Sequence, residues 1–272
     1  MFNHQRTTSR TSDTGFSLVE LLVVVAVIGV LIGVLIPTLG AARDEAEKIV
    51  ELSAVRNLML GHQMYADDHA GRLISGYDLQ APAYGPDGQS LSFPENARYP
   101  WRLVPYLDDA VEQTILVHQR LSEVSEGGEL DTYAVSVMPS FGINGEFVGG
   151  TWGGPYNNWL VDRGVTVRKT FEAHRPSELI VFASARGGLS GKDPVLGYHL
   201  VQPAYGHEYD PADMPFKFGF VHPRYGERAI VSFLDGHAGA LDTVALRDMT
   251  HWSDAAARAN DPDWRLENAF RE

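Results

Sequence analysis

GFSLVELLVVVAVIGVLIGVLIP, Gly15 to Pro37, is the stretch whose reading decides the fold. From Leu21 to Ile36 it runs 16 residues without one polar side chain. With Phe16, Leu18 and Val19 before that run and Leu39 to Ala42 after it, the apolar stretch approaches the roughly 20 residues that a bilayer-spanning helix requires. A helix apolar on every face has to be buried in lipid or in a large core, and the reading taken is a membrane helix. Gly29 and Gly33 stand four apart, a spacing that lets another helix approach closely in lipid. Pro37 removes one backbone donor and predicts a bend or a local melt.

A secretory signal, a plain single-pass anchor and a processed assembly segment all contain such a run. A secretory signal starts with a short basic region and is cut after its apolar core at small residues, for which Gly40, Ala41 and Ala42 would serve. The leader from Met1 to Gly15 is long, however, and an acid, Glu20, lies among the first apolar positions. A charge at mid-membrane costs roughly 2.5 to 3.5 kcal/mol and less near the interface, so an acid there is by default functional and needs a partner.

Gly15-Phe16-Ser17-Leu18-Val19-Glu20 with the apolar run and Pro37 resembles the N-terminus of type IV pilins and of the pseudopilins of type II secretion. Counted from Phe16, Glu20 is the fifth residue and Pro37 the twenty-second, where that family carries its acid and its helix-bending proline. The resemblance implies that a prepilin peptidase and N-methyltransferase cuts after Gly15 and methylates Phe16. It implies also that Glu20 neutralises the new amine of a neighbouring subunit during assembly. Pairing of that kind is far stronger in a low dielectric than in water. Arg6 and Arg10 precede the span while Arg43 and Lys48 follow it, so orientation rests on the resemblance and not on basic residues.

Beyond Pro37 the pattern turns amphipathic. Ile49, Leu52, Val55, Leu58, Met59 and Met64 recur at three- and four-residue intervals, which predicts that the helix continues to about His69 and stops at Gly71. The expected organisation is a leader at 1–15, a transmembrane and polymerisation helix at 16–42, its amphipathic continuation at 43–70, and an extracytoplasmic domain at 71–272. Gly71 to Pro105 reads as loops, and Leu103 to Leu121 as a short helical stretch. Strands are expected at Tyr133–Val137, Ser140–Phe147, Glu178–Ala185, Ala229–Leu234 and His237–Leu241. The last two flank Asp235-Gly236, which predicts a hairpin with a two-residue type I′ turn. The fold class is therefore α+β, a long helix packed on an antiparallel sheet with a helical tail carrying Leu246 to Trp252.

HQMYADDHAGRL, PWRLVPYL, SFGINGEF, PSELIVFA, SFLDGHAGAL and LRDMTHWS resemble a subgroup of the same family, abundant in planctomycete- and verrucomicrobia-type bacteria, whose label describes His, nine residues, then Asp-Gly. Here 12 residues separate His222 from Asp235, so either the hairpin is longer or His222 is not the equivalent histidine.

The 272 residues are 44% hydrophobic and 21% charged, an ordinary globular balance, and 22 Lys plus Arg against 35 Asp plus Glu give a formal charge of −13. That charge makes nucleic acid an unsuitable partner. Without cysteine there is no disulfide, thiolate nucleophile or Cys-ligated metal. No G-x-S-x-G, H-E-x-x-H, P-loop or G-x-G-x-x-G string occurs, so no catalytic residue and no cofactor is assigned. Two sets are weighed for calcium, Asp67, Asp68 and His69 at the helix end and Asp235, His237 and Asp242 at the hairpin. Carboxylates that cap turns explain both more simply. Trp152, Tyr156 and Trp159 form a candidate contact patch for a partner or carbohydrate.

The expected function is structural. The chain reads as a bacterial inner-membrane, single-pass precursor with a periplasmic globular domain, assembling with other pilin or pseudopilin subunits on a secretion or pilus platform. The rivals are an anchored extracytoplasmic binding module and a secreted enzyme released after Ala42.

Overall fold

The computed structural model describes residues 17–108, 110–117, 125–126, 129–152, 159–187 and 195–267. Helix α1 spans Leu18–Asp68, 51 residues, and the division between two compact units falls inside it, one ending at Ala46 and the other running from Glu47 to Glu272.

In the first unit the side chains of α1 from Leu18 to Ile36 and at Leu39 are exposed on every face. Among the described residues α1 is the one helix long and apolar enough to cross a membrane. The helix is continuous through Pro37. Just after it the Thr38 hydroxyl donates to the Leu35 carbonyl at 2.8 Å, a back-bond that satisfies its polar group within the helix.

In the second unit the same helix has a buried face. Ala54, Val55, Leu58, Met59 and Ala66 are buried at helical spacing, and Glu51 and His62 lie on that face with no exposed surface. Ile49 and Met64, expected in the stripe, point to the surface instead. Leu52, Val55, Leu58 and Met59 face the core as expected, and hydropathy missed two members of the face because they are ionisable. Glu51 qualifies by pairing with Arg224 at 3.1 Å, and His62 by meeting the edge of Phe182 at a ring distance of 5.7 Å. The helix ends where expected: Gly71, at φ +78°, donates its N–H to the Ala66 carbonyl at 2.7 Å.

Among the described residues eleven short strands follow in chain order: β1 Tyr77–Asp78, β2 Ser125–Glu126, β3 Glu129–Leu130, β4 Phe141–Asn144, β5 Thr151–Trp152, β6 Ile180–Ser184, β7 Arg186–Gly187, β8 Val195–Leu196, β9 Leu200–Val201, β10 Arg228–Phe233 and β11 Ala238–Asp242. The main sheet has the order β11-β10-β6-β4-β9. Its first four strands are antiparallel, as expected, while β9 adds to the β4 edge in parallel, so the sheet is mixed. The arrangement is α+β.

Strand β10 shows how the sheet is covered. Ile230 joins the cluster that holds Leu58 and Met59 of α1, whereas Ala229, Val231 and Phe233 join the cluster of Leu246, Met249, Trp252 and Ala256. That is the period of two of a strand buried on both faces. The C-terminal segment is built from short turns at Ala245–Arg247 and Met249–His251 and a helix at Asp254–Ala259. Buried Asn144 ties it to the sheet, its amide donating to the carbonyls of Ile180 and Trp252 at 3.0 Å each.

Two expected elements are corrected. Thr132–Val137 is a helix, not a strand, because the Asp131 side chain accepts from the N–H groups of Tyr133 and Ala134 and starts a helical turn before any strand forms. The helical stretch from Leu103 breaks into an α turn at Pro100–Leu103, a 3-10 turn at Val104–Tyr106 around Pro105, and a π turn at Val111–Ile115; 118–121 lie outside the described residues.

Burial lowers the pKa of His62 to about 4 and, with the nearby Arg98 charge adding to it, that of His199 to about 3. Above the ordinary histidine range both are neutral folded or unfolded. As the pH falls through 6.5, the unfolded chain takes up protons that the folded chain refuses, so stability is lost down to about pH 4 and 3 respectively. The loss approaches about 1.4 kcal/mol per pH unit for each histidine. Denaturant unfolding of the detergent-solubilised chain at pH 7 and pH 5 checks this; because His222 is lowered in the same way, to about 3, His62→Leu should flatten the dependence by about a third.

Candidate functional site

Helix α1 starts at Leu18 because Ser17 caps it. The Ser17 N–H donates to Glu20 Oε2 at 2.8 Å, and the Glu20 N–H donates to Ser17 Oγ at 3.2 Å, a reciprocal capping box. The Ser17-x-x-Glu20 spacing ahead of an apolar run carries that signal, and hydropathy alone passes over it. The two side chains thus each satisfy one backbone donor at the mouth of the apolar segment, and Glu20 brings negative charge to the positive end of the helix dipole. A carboxylate has two oxygens and roughly four acceptor positions, so the cap is compatible with a second partner such as an ammonium. Gly15 and Phe16, the expected processing positions, lie outside the described residues. Among the described residues nothing comes near the Cβ positions of Gly29 and Gly33, which leaves the face they share open to a neighbouring helix.

The second expected group, at the hairpin, is built differently from the prediction. The last ladder pair is Ser232↔Ala238, and Phe233 donates its N–H to the His237 carbonyl at 2.9 Å. Gly236 donates back to the Phe233 carbonyl at 2.9 Å and has φ +101°, while Asp235 is not among the positive-φ residues. A type I′ turn needs positive φ at both central residues, so this is instead a three-residue connection with glycine in the left-handed position. Asp235 is engaged locally: its Oδ1 accepts from the His237 N–H at 3.1 Å and lies 2.7 Å from His237 Nδ1, whose ring stacks on Phe233. Asp242 accepts from the N–H groups of Val244 and Ala245.

His222 and Asp235 do not meet. They flank opposite ends of β10, whose six residues span roughly 20 Å at 3.3 Å per residue. His222 is tied by its N–H to the Ser184 carbonyl at 2.8 Å, and burial followed by the Arg224 and Arg186 charges pushes its pKa down to about 3. It is a packed neutral imidazole beside two guanidinium groups. At the end of α1, Asp67 and Asp68 face outward while the His69 ring stacks on Tyr65 at 4.0 Å. Among the described residues no three His, Asp or Glu side chains converge as a metal site. Of the aromatic patch, Tyr156 lies outside the described residues, Trp159 opens a helix at Trp159–Asp162, and Trp152 lies on β5 with the Arg168 guanidinium 4.9 Å from its ring centre.

Residues 10–36 match the family described as the prokaryotic N-terminal methylation motif. No curated protein and no solved structure matches the chain. The match covers the residues just ahead of the cap, the Ser17–Glu20 cap and the apolar run, and it supports a type IV pilin-like N-terminus. With the apolar exposed helix, that N-terminus is fitted to anchor the chain in a membrane.

The hairpin geometry makes Gly236 the least replaceable turn residue. A Cβ there would sit 2.8 Å from Gln63 Nε2 of α1, a flexible group that can move aside, so the left-handed backbone sets the penalty. Gly236→Ala should lower unfolding stability by about 1–2 kcal/mol, and Gly236→Asn, which tolerates that backbone better, by less. Equal stability of all three proteins in chemical denaturation would contradict the turn assignment.

Proposed function

We propose that the chain is the precursor of a pseudopilin or pilin-like subunit, stored in the bacterial inner membrane and drawn into a type II secretion pseudopilus or a type IV pilus-like filament. The observation that carries this reading is a helix apolar on all faces with one acid, Glu20, at its entrance, inside the matched residues 10–36. In this account prepilin peptidase cuts after Gly15 and methylates Phe16. The cut creates an ammonium ahead of the span, and the capping box already holds the Glu20 carboxylate at the helix start.

In the membrane the exposed run is covered by lipid. In the filament it is covered by the equivalent helices of other subunits, with Gly29 and Gly33 offering close approach. Glu20 of one subunit then pairs with the Phe16 amine of the next. An unpaired acid at the centre of a span costs about 2.5–3.5 kcal/mol and less at the interface, and adding the ammonium offsets that penalty only when subunits are in register. The globular part is periplasmic in this scheme. The remaining partners are the assembly platform, other pilin or pseudopilin subunits and membrane lipid. No step requires catalysis by this chain.

Substitution of Glu20 tests the pairing. In the native host, Glu20→Ala should insert and be cleaved at the wild-type level yet lose in-register oligomers on cross-linking of the membrane and sheared fractions. Wild-type assembly by the variant would contradict the pairing and favour a module that uses this segment only as an anchor.

A further inference from the structure

The geometry points to a binding site for an acidic sugar on the globular unit, formed by Arg72, Arg168 and Lys169 beside Tyr65 and Trp152. Two short segments bring the cations together. Arg72 faces Lys169 in an antiparallel bridge, with Leu73 donating its N–H to the Arg168 carbonyl at 2.9 Å and Thr170 donating to the Gly71 carbonyl at 3.0 Å. Like charges directly opposite each other across a ladder are destabilising. Arg72 Nε donates to the His69 carbonyl at 3.4 Å and the Lys169 ammonium lies 5.4 Å from the Phe171 ring centre, contacts that leave both positive charges unneutralised.

None of the three cations has an acidic side chain within ion-pair distance among the described residues, although the chain carries a formal charge of −13. The nearest candidate, Glu172, is turned to the backbone, its Oε2 accepting from the N–H groups of Arg168 and Lys169 at 2.7 and 3.0 Å. Arg72 and Arg168 line two adjoining cavities. One, of about 300 Å³, is walled by Tyr65, His69, Ser75, Asp78 and Trp152, and the other, of about 540 Å³, includes Lys169 and Glu172.

The Arg168 guanidinium lies over the Trp152 ring at 4.9 Å, which restrains its planar fork for two parallel bonds to a carboxylate. Asp78, the acid in the smaller cavity, accepts from Ser75 Oγ at 3.5 Å and from the Gln80 N–H at 2.9 Å, leaving the cations in excess. Two guanidiniums, an ammonium, aromatic walls and a cavity the size of one or two sugar rings fit a uronic-acid unit: the carboxylate meets the arginines and the ring packs against Tyr65 and Trp152. A flexible acidic peptide would use the charges but not the width of the cavity.

Calorimetric titration of the full chain in detergent micelles tests this with digalacturonate, the neutral digalactoside, inorganic phosphate and a tetra-aspartate peptide. Digalacturonate should bind, more weakly as salt rises, and Arg72→Gln and Arg168→Gln should each weaken it by about ten-fold, the loss of one charge-assisted contact. Lys217→Gln, whose cation already pairs with Asp213 at 2.7 Å, should leave binding unchanged. All of these side chains are on the surface or at its edge, and an unchanged thermal midpoint identifies variants that remain folded. If Arg168→Gln fails to fold, Arg72→Gln and Lys169→Gln carry the test. No digalacturonate binding, equal binding of the neutral sugar, equal binding of phosphate or of the peptide, or unchanged affinity in the folded variants would each overturn the proposal.

Discussion

Everything in this molecule answers to one constraint, which is that the 16-residue apolar run from Leu21 to Ile36 has no cover among the described residues of its own chain. At about 25 cal/mol per Å² of apolar surface, a helix of that length cannot remain in water as a monomer. It has to be in lipid or against other helices. The capping box of Ser17 and Glu20 belongs to the same constraint, because it satisfies the first amides of the helix where water is scarce. A carboxylate placed there is a cap, and the proposal of a filament subunit gives it a second use as the partner of a neighbour's amine.

The same helix solves a second problem after Glu47. Its face of Ala54, Val55, Leu58, Met59 and Ala66 covers one side of the main sheet, while Trp252 and its neighbours cover the other. The central strands are thereby buried on both faces although most of their pairings are antiparallel. Glu51 and Arg224 form a nearly buried ion pair in that packing, and Arg224 also donates to the Ala185 carbonyl at 3.1 Å. Such a pair adds little net stability against an apolar substitute, but removing one partner leaves a stranded charge, so it fixes the register of helix on sheet.

The sequence made the first half of α1 legible because apolarity there is uniform and leaves no face to choose. It did equally well with β6, β10 and β11, whose apolar runs are bounded by turn residues. In the second half of α1 it placed Leu52, Val55, Leu58 and Met59 on the core face but not Glu51 and His62, since hydropathy assigns an ionisable residue to water unless its partner is known. Arg224 is far away in sequence. Tyr133 to Val137 reads as a strand by its β-branched and aromatic residues, yet one side chain, Asp131, converts it to a helix by capping it. Likewise Asp235-Gly236 signalled a hairpin but not its loop length, which depends on where the ladder stops. Of the candidate site, Glu20 was visible as an anomaly of charge, and Ser17 was readable from its spacing. The opposition of Arg72 and Lys169 was not, because nearly a hundred residues lie between them and only the fold makes them neighbours.

The central claim is that the chain enters a pilin-type processing pathway, and the mature N-terminus tests it most directly. Mass spectrometry of protein taken from the membrane fraction of its own host should find a chain that begins at N-methylated Phe16. A chain beginning at Met1 would make the segment an unprocessed anchor, and one beginning at Arg43 would make it a discarded signal; either result would contradict the account.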